Sequence, residues 1–323
     1  MPKTGQSGKW FVVVNIYAAS KQAGKKWRQA KEMLENHGIE CEYALTGKTG
    51  TAESLTRQAC AQGYRRFIAV GGDGTVHDVL NGIMRFVEAP DPVAGAGDFT
   101  LGVIPMGSGN DWIKSLGIKK KIKSAVSVIV AGKTGRQDVV RVRCSAAASD
   151  SAAESVSYMV NVGGIGIDAK VCSIVNHDKK QGKRGKLLYV MALLQSIRER
   201  VPSRIKVVCD GEIVYEGNYL SIAFGVGRYS GGGMRQTPAA VLDDALVDMT
   251  LIPDIPLMRI ARELPRLFTG TFLKVKELVV SKSSHVEVVP LESSDLVEVD
   301  GEIVGHSPAV VEVVEGQINV LVP

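Results

Sequence analysis

The chain has 323 residues, a length that favours two domains over a single hydrophobic core. Hydrophobic residues make up 45% and charged residues 23%, a balance that is typical of folded globular proteins and excludes an intrinsically disordered chain. Lysine and arginine outnumber aspartate and glutamate by 39 to 34, and the resulting net charge of +5 is too small to predict a nucleic-acid partner.

The first part of the chain alternates strand and helix patterns. Its strands are short runs rich in β-branched residues, such as WFVVVN from Trp10 to Asn15, and its helices stop at glycines such as Gly38. Thr75 and Asp78 are placed as the capping pair of the third helix. The alternation predicts an α/β domain over residues 1–138. Its predicted strands are 10–15, 39–45, 66–70 and 101–104, and its predicted helices are 27–37, 51–62, 75–87 and a short one ending at Gly117.

After about Asp138 the pattern changes to short strand-like runs, including VVRVRC, SYMVNVG and YLSIAFGVG. They predict a second, mainly-β domain over residues 139–306, and the tail over about 307–323 is a candidate to return to the first domain. Residues 145–155 (SAAASDSAAES) are of low complexity, so we expect a surface loop there. The helices predicted in this domain are 187–199 and 255–268, the second of them interrupted by Pro265.

A glycine-rich turn joins the third strand to the third helix and consists of Gly71, Gly72, Asp73, Gly74 and Thr75. Because glycines lack side chains, phosphate oxygens could approach the backbone N–H groups and the positive end of the helix. A tight structural turn would explain the glycines equally well. It would not explain the acid among them, since Asp73 repels a nucleotide unless a divalent cation lies between them. The turn therefore favours a nucleotide with Mg²⁺.

A second turn, PMGSGND from Pro105 to Asp111, also follows a strand and opens a helix. Such turns lie at the carboxyl ends of strands in α/β sheets, so we expect both to face one cleft. Ser108 could bond a phosphate, and Asn110 and Asp111 could orient the acceptor group. Ser, Asn and Asp are also common capping residues, and a simple capping turn explains this segment equally well when it is taken alone.

The two turns and three later segments resemble the signature of diacylglycerol kinase catalytic domains, which belong to a superfamily with sphingosine kinases and NAD kinases. The segments occur in the family's order and extend from the first domain to near the C-terminus. The resemblance implies an N-terminal nucleotide-binding α/β domain and a C-terminal β-sandwich, with the active cleft between them. The segments are VGGDGTVHDVLNG from Val70, GVIPMGSGNDW from Gly102, NVGGIGIDA from Asn161, GGGMRQTPAAVLDDALVDM from Gly231 and VDGE from Val299.

The resemblance also implies where ATP binds. The nucleotide would lie on the turn from Gly71 to Thr75, with Asn15, Thr46 and Ser108 nearby, and Asp73 would hold the catalytic Mg²⁺ through water. The family usually carries Asn-Pro-x-Ser/Ala-Gly after the first strand, whereas this chain has NIYAA from Asn15. Loss of the proline and the glycine leaves nucleotide contact at this segment open.

By the same resemblance, Asp300 would be the general base that accepts the proton of the attacking hydroxyl, with Glu302 as the second candidate. The pentapeptide DGEIV occurs twice, from Asp210 and from Asp300, and an Asp-Gly hairpin turn explains both copies. Only the family's order of segments selects the second copy.

Some family members hold a second, structural Mg²⁺ through the residue that corresponds to Asp244 and the carbonyls that correspond to Val241 and Leu246. Carboxylate and carbonyl oxygens suit such a hard cation. Here Ala245 replaces the family's glycine. A metal site and a metal-free loop therefore stay equally open.

The function that the resemblance implies is an ATP-dependent lipid kinase, with diacylglycerol as the leading acceptor and phosphatidic acid as its product. Two alternatives keep the fold and change the acceptor to a sphingoid base or to NAD. A third alternative, from a different class, is a non-catalytic sensor of nucleotide or lipid. The oligomeric state stays open, with a homodimer among the alternatives.

Membrane contact is expected to be peripheral, because no apolar stretch is long enough to span a bilayer. Two basic clusters, at 119–123 and 179–186, and the apolar helix near 187–197 could meet anionic phosphates or lipid headgroups. The five cysteines lack C-x-x-C spacing, which predicts neither a disulfide framework nor a zinc site and fits a reducing cytoplasm.

Overall fold

The computed structural model describes residues 8–16, 23–47, 51–90, 92–148, 150–181 and 186–323. The chain divides into two compact units. The first comprises Met1–Gln137 together with Glu315–Pro323, and the second comprises Asp138–Val314.

Strands and helices are numbered in chain order across both units. The strands are β1 (Trp10–Val14), β2 (Cys41–Leu45), β3 (Arg66–Gly71), β4 (Thr100–Pro105), β5 (Thr134–Gln137), β6 (Val140–Ala147), β7 (Asp150–Met159), β8 (Val162–Gly166), β9 (Ser203–Cys209), β10 (Glu212–Gly225), β11 (Val247–Pro253), β12 (Val279–Ser283), β13 (His285–Pro290), β14 (Leu296–Val299), β15 (Glu302–Val313) and β16 (Ile318–Leu321). The helices are α1 (Ala23–Asn36), α2 (Ala52–Ala61), α3 (Asp73–Val87), α4 (Trp112–Ser115), α5 (Ile122–Ala131), α6 (Ile167–Lys180), α7 (Lys186–Arg198) and α8 (Leu257–Thr269).

The first unit is built on a six-stranded sheet with the order β2-β1-β3-β4-β16-β5. Neighbouring strands from β2 to β16 run parallel, and only β5 is antiparallel to its neighbour. Alternate residues of β1, namely Trp10, Val12 and Val14, pack in one apolar cluster with residues of α1 and α5. Burial of each large apolar side chain contributes roughly 1.5–3 kcal/mol relative to exposure. The α/β class predicted for this part of the chain is confirmed.

The last strand of the chain, β16, belongs to this first sheet. The strand before it, β15, continues to Val313 in the second unit. The chain therefore returns to the first unit at Glu315, later than residue 307, because a twelve-residue strand first completes the second sheet.

The second unit holds a ten-stranded sheet whose pairs are all antiparallel. The path runs β12-β11-β10-β8-β14-β15-β13-β9, and an extra pairing of β9 with the long strand β10 closes it on itself. The closed ring is β10-β8-β14-β15-β13-β9, and β12 and β7 end two branches of the sheet with one described neighbour each. The sheet interior is an apolar cluster that includes Val207, Ile222 and Val311. The predicted mainly-β class is confirmed here.

Helices α6, α7 and α8 of the second unit share another apolar cluster, which includes Val175, Leu193, Leu220 and Ile260. Pro265 lies inside α8 without ending it, so the helix predicted over 255–268 is present, but the predicted interruption at Pro265 is wrong. Among the helices that the structure describes, none combines the length and the apolar character needed to cross a bilayer.

Two further local predictions are wrong, and two helices, α5 and α6, were not predicted. Helix α3 begins at Asp73 with Gly72 as its N-cap, because Thr75 turns its hydroxyl to Asn15 and does not cap the helix. Helix α5 was not predicted, since the lysine run from 119 to 123 obscures its start. The low-complexity residues 145–155, predicted as a surface loop, form the end of β6 and the start of β7. Their composition gives little strand signal, and hydrogen bonds with neighbouring strands stabilise the extended conformation.

Candidate functional site

Four segments of the first unit meet at one edge of its sheet. Asn15 follows β1 and donates its backbone N–H to Val70 (2.9 Å), and Thr46 follows β2 and donates to Val14 (3.0 Å). The Asn15 side chain donates from Nδ2 to Thr75 Oγ1 over 3.1 Å. The predicted nucleotide-binding residues Asn15, Thr46 and Thr75 are therefore neighbours, because parallel strands place their carboxyl ends together. Residues 17–19 of the altered segment lie outside the described residues.

The two glycine turns touch each other. The carbonyl of Gly71 accepts hydrogen bonds from the N–H groups of Met106 (2.7 Å) and Gly107 (3.2 Å). A Cβ atom on Gly107 would lie 2.6 Å from Gly72 Cα, which is closer than real Cβ contacts. Glycine is therefore needed at this contact, and the expectation that the two turns converge is confirmed.

Asp73 stands at the first turn of α3 and reaches the second glycine turn. Its Oδ1 accepts hydrogen bonds from the backbone N–H groups of Asp111 (2.8 Å) and Trp112 (3.2 Å). A carboxylate at this end of a helix also interacts favourably with the helix dipole. These bonds tie the beginning of α3 to the beginning of α4.

Two carboxylates face the space beside Gly109. A Cβ atom on Gly109 would lie 3.0 Å from Asp73 Oδ2 and 3.4 Å from Asp111 Oδ2, so two carboxylate oxygens face the same small space. Mg²⁺ is usually bound in proteins by one or two carboxylates together with water and substrate phosphates. Among the described residues of the first unit, Asp73 and Asp111 are candidates to hold such an ion, although Asp111 Oδ1 is already paired with Lys114. The sequence singled out Asp73 alone.

The remaining side chains of the second turn have structural contacts. Asn110 is 3% exposed, and its amide accepts from Gly107 N–H (3.1 Å) and donates to Gly107 C=O (2.7 Å). Its positive φ of 51° is one that asparagine tolerates. Asp111 pairs with Lys114 at 2.5 Å. Asn110 therefore closes the turn, and the acceptor-orienting roles of Asn110 and Asp111 stay predictions.

Lysines surround the exposed side of the second turn. Lys120 donates to the carbonyl of Ser108 over 2.6 Å, and Ser108 itself is exposed. Lys26, Lys121 and Lys123 line a pocket of the first unit beside Gly107. Positive charge beside a glycine turn raises the local concentration of phosphate anions.

In the second unit, Asp300 occupies the turn between β14 and β15 with a φ of +52°. It is 7% exposed, and its carboxylate accepts the backbone N–H groups of Val160 (3.0 Å) and Asn161 (2.9 Å). The other candidate base, Glu302, is exposed at the start of β15. Asp300 is therefore held in place by two backbone contacts, and its predicted role as base stays a prediction.

Further side chains hold the same turn. Glu298 Oε2 accepts the N–H of Gly301 (2.9 Å), and Asn176 of α6 donates from Nδ2 to the Gly301 carbonyl (2.9 Å). Burial raises the pKa of Glu298 well above its usual range, and the nearby carboxylates of Asp168 and Asp300 add to the effect. Sequence patterns did not identify Glu298 or Asn176, which become neighbours of Asp300 only through the fold.

An apolar pocket lies under α7 and α8 of the second unit and has one polar end. Its hydrocarbon lining includes Leu193, Leu220 and Phe272. At the polar end, Asp168 accepts from Ser221 Oγ (2.8 Å) and from Gln236 Nε2 (2.5 Å). Burial raises the pKa of Asp168 to about 6, although both hydrogen bonds act to lower it. Sequence reasoning missed this site.

The predicted structural metal site also lies in the second unit. Asp244 Oδ1 accepts the N–H of Leu246 (3.2 Å), and Asp244 Oδ2 lies 3.3 Å from Lys282 Nζ. The carboxylate that is the candidate ligand of a structural Mg²⁺ is thus already paired with a cation.

Comparisons with known proteins agree with this organisation. Residues 9–142 match the diacylglycerol kinase catalytic domain, and residues 161–322 match the YegS C-terminal NAD kinase beta sandwich-like domain. A diacylglycerol kinase of Mycobacterium tuberculosis is 28% identical over 322 residues, which cover 98% of this chain and 96% of that protein. A probable lipid kinase YegS-like of Stenotrophomonas maltophilia is 26% identical over 318 residues, with coverage of 98% and 96%.

A solved structure shares the fold. The crystal structure of a putative diacylglycerol kinase from Bacillus anthracis matches with a TM-score of 0.75 at 20% identity, and the match covers 98% of this chain and 97% of that chain. The family resemblance of the five sequence segments is thereby confirmed. The chain belongs to the family of lipid kinases that combine a diacylglycerol kinase catalytic domain with a YegS-type, NAD kinase-like β-domain.

Proposed function

We propose that this chain transfers the γ-phosphoryl group of ATP to a hydroxyl group of a membrane lipid, with diacylglycerol as the leading acceptor and phosphatidic acid as the product. The observation that carries the proposal is the contact between the two glycine turns, with Asp73 hydrogen-bonded across them. A nucleotide site needs this combination of exposed backbone, a helix N-terminus and a carboxylate for the cation.

In this proposal the triphosphate lies on the first glycine turn. The backbone N–H groups at the start of α3 bind phosphate oxygens, and lysines beside Gly107 add positive charge. Asp73 and Asp111 would hold Mg²⁺, which would neutralise phosphate charge and polarise the γ-phosphoryl group. Asn110 keeps the second turn closed by bonding both backbone groups of Gly107.

Asp300 is the proposed general base. Its carboxylate would accept the proton of the acceptor hydroxyl as that oxygen attacks phosphorus, a contribution that is typically about 10²–10⁴-fold in rate. A carboxylate can accept about four hydrogen bonds, so the two from Val160 and Asn161 are compatible with this role. These two bonds would also orient the carboxylate.

The GGGM and VDGE segments favour a lipid acceptor over NAD, because they match the lipid branch of the superfamily better. In the second unit, Asp168 is close enough to Glu298 to raise the pKa of that group, and Glu298 bonds the turn that carries Asp300. Two relatives are named diacylglycerol kinase and probable lipid kinase, in agreement with this acceptor class.

An acceptor screen tests the proposal. Purified protein would be incubated with γ-labelled ATP and Mg²⁺ and with diacylglycerol in mixed micelles, a sphingoid base in micelles, or NAD, and Asp73→Ala would serve as the blank. We expect label in phosphatidic acid for the native chain alone. Label in NAD or in the sphingoid base would assign the alternative acceptor, and ATP binding without transfer to any acceptor would support a sensor.

Membrane contact is the second part of the proposal. On α7, Val190, Met191 and Leu194 are 36%, 59% and 51% exposed, a continuous apolar surface beside the pocket-lining Leu193. Such a surface can enter the headgroup region of a bilayer. The double variant Met191→Ser/Leu194→Ser should bind vesicles of anionic phospholipid less well and keep its turnover of micellar acceptor. Unchanged vesicle binding would contradict a docking role for α7.

A further inference from the structure

The ammonium group of Lys282 lies among three oxygens, two from the loop that precedes β11 and one from β11 itself. Its Nζ is 3.3 Å from Asp244 Oδ2, 3.2 Å from Asp248 Oδ2 and 3.3 Å from the carbonyl of Ala239. Lys282 lies on β12 directly opposite Asp248 on β11, so the strand register itself brings these two residues together. The contacts with Asp244 and with the Ala239 carbonyl are hydrogen bonds, and the contact with Asp248 is an ion pair.

Asp248 makes a cationic partner necessary. The residue is 2% exposed, and a buried carboxylate is costly unless an opposite charge or hydrogen bonds compensate it. The distance between Lys282 Nζ and Asp248 Oδ2 is that of an ion pair, although this oxygen makes no hydrogen bond. Lys282 therefore supplies the charge that this position needs.

The surrounding loop is closed by protein groups as well. Asp138 Oδ2 accepts the N–H of Ala245 (2.7 Å), and the N–H of Asp138 donates to the Leu242 carbonyl (2.7 Å). These bonds hold Ala245 at a φ of +60°, in the left-handed region that favours glycine. The turn thus adopts its shape with alanine in place of glycine because Asp138 fixes it.

A divalent cation does not fit this arrangement. The Asp244 carboxylate that would bind it already contacts Leu246 N–H and Lys282 Nζ. Within the described ranges, no group of three or more His, Cys, Asp or Glu side chains is placed to hold a metal ion. A second cation beside the ammonium group would also be repelled by it.

We propose that the ammonium group of Lys282 takes the place of a structural divalent cation in this loop, so that the second unit folds and stays folded without bound metal. The positive charge is covalently attached to β12 and is present at every metal concentration. The loop from Ala239 to Asp248 is then independent of Mg²⁺, and the remaining need for divalent cation comes from the nucleotide. The proposal concerns folding and does not depend on which acceptor is phosphorylated.

Thermal melting in the absence of nucleotide tests the proposal. Native protein should melt at the same temperature in excess EDTA and in millimolar Mg²⁺ or Ca²⁺. Metal analysis of protein purified without chelator should find far less than one divalent ion per chain. A melting temperature that falls in EDTA, or one tightly bound ion per chain, would overturn the proposal.

Variants of Lys282 provide the second test. Lys282→Ala leaves Asp248 without its cation, and its melting temperature should fall by roughly 5 °C or more. Added Mg²⁺ or Ca²⁺ should recover part of this loss, because the vacated oxygens can then bind metal. Lys282→Arg keeps the charge and should melt near the native temperature in EDTA.

Lys206→Ala is the matched control. Lys206 is a half-buried lysine on β9 with no carboxylate partner among the described residues, so its removal should neither lower stability to the same extent nor create a response to metal. Equal losses for the two alanine variants, or no rescue of Lys282→Ala by divalent cation, would contradict the replacement. If Lys282→Ala does not fold even with metal, the EDTA melting of native protein and of Lys282→Arg still decides the question.

Discussion

The pentapeptide DGEIV occurs twice in the second unit, and both copies form the same two-residue turn. The first joins β9 to β10, and the second joins β14 to β15. The φ angles are 47° and 87° for Asp210 and Gly211, and 52° and 90° for Asp300 and Gly301. Positive φ at both central residues is typical of type I′ hairpins. The local sequence therefore determines the turn in both copies and does not distinguish them.

What distinguishes the copies is their surroundings. Asp210 is exposed and its carboxylate accepts the N–H groups of Ser284 and His285, whereas Asp300 is 7% exposed and accepts those of Val160 and Asn161. Two residues before Asp300 stands Glu298, which bonds the turn, and two residues before Asp210 stands Val208. The same pentapeptide therefore places an exposed aspartate, Asp210, in one turn and a buried aspartate next to another acidic residue, Asp300 with Glu298, in the other.

The largest expected difference between the copies is in phosphoryl transfer. Asp300→Asn keeps a residue that tolerates positive φ but lacks a basic carboxylate, so we expect turnover to fall by about 10²–10⁴-fold. Asp210→Asn should leave turnover close to native. Steady-state transfer from γ-labelled ATP measures both, with circular dichroism as the check on folding. Equal activity of the two variants would refute Asp300 as the base.

A smaller effect is expected from the contacts that hold the second turn. Asn176→Ala removes the hydrogen bond to the Gly301 carbonyl, so the Asp300 carboxylate should be less well placed. We expect kcat to fall a few-fold while KM for ATP stays unchanged. His177→Ala, an exposed neighbour on α6, is the control. A kcat equal to that of the control would show that Asn176 does not position Asp300.

The smallest expected effect is on the pH dependence of the free energy of unfolding. Burial raises the pKa of Glu298 above the usual 4.5, so the folded state keeps a proton that the unfolded state loses. Stability should therefore decrease as pH rises above 4.5, by up to about 1.4 kcal/mol per pH unit, until the folded pKa is passed. Glu298→Gln, a neutral isostere, should lose this contribution in urea unfolding. The loss should be clearest above about pH 6, where the raised pKa of Asp168 has been passed and Asp168 no longer adds a slope of the same sign.

The exposed Glu216 of β10 provides the control for that measurement. Glu216→Gln should keep the native slope, because its carboxylate is solvated in both states. A slope that persists unchanged in Glu298→Gln would mean that another group carries it, and the raised pKa of Glu298 would not contribute to stability in this range.

Much of the fold could be predicted because apolar residues recur at the buried positions of strands and helices. Strands β1, β3 and β4 are continuous apolar runs, and Gly38 and Gly117 end helices at φ values of 72° and 74°, as their positions predict. Residues 145–155 misled prediction, since small polar residues carry little strand signal and only the partner strands show their conformation.

Some residues of the candidate site belong to local sequence motifs, and others come together only through contacts between distant parts of the chain. The glycine turns are local motifs and were found in the sequence, together with Asp73. The partners of Asp300 lie about 140 positions away, and Lys282 lies 38 positions from Asp244, so no short-range pattern could connect them. Asp168 was missed because its meaning depends on Ser221 and Gln236, which the sheet brings to it.

The central claim is that the two glycine turns form one nucleotide site, and ATP binding to Gly107→Ala tests it most directly. The added Cβ would lie 2.6 Å from Gly72 Cα and would force the turns apart, whereas Gly95→Ala, the control in the same unit, meets no atom within 4 Å. Calorimetric titration with ATP and Mg²⁺ should show a loss of affinity of about tenfold or more for Gly107→Ala, equivalent to roughly 1.4 kcal/mol, and native affinity for Gly95→Ala. Native affinity in Gly107→Ala, with the protein folded, would contradict the account.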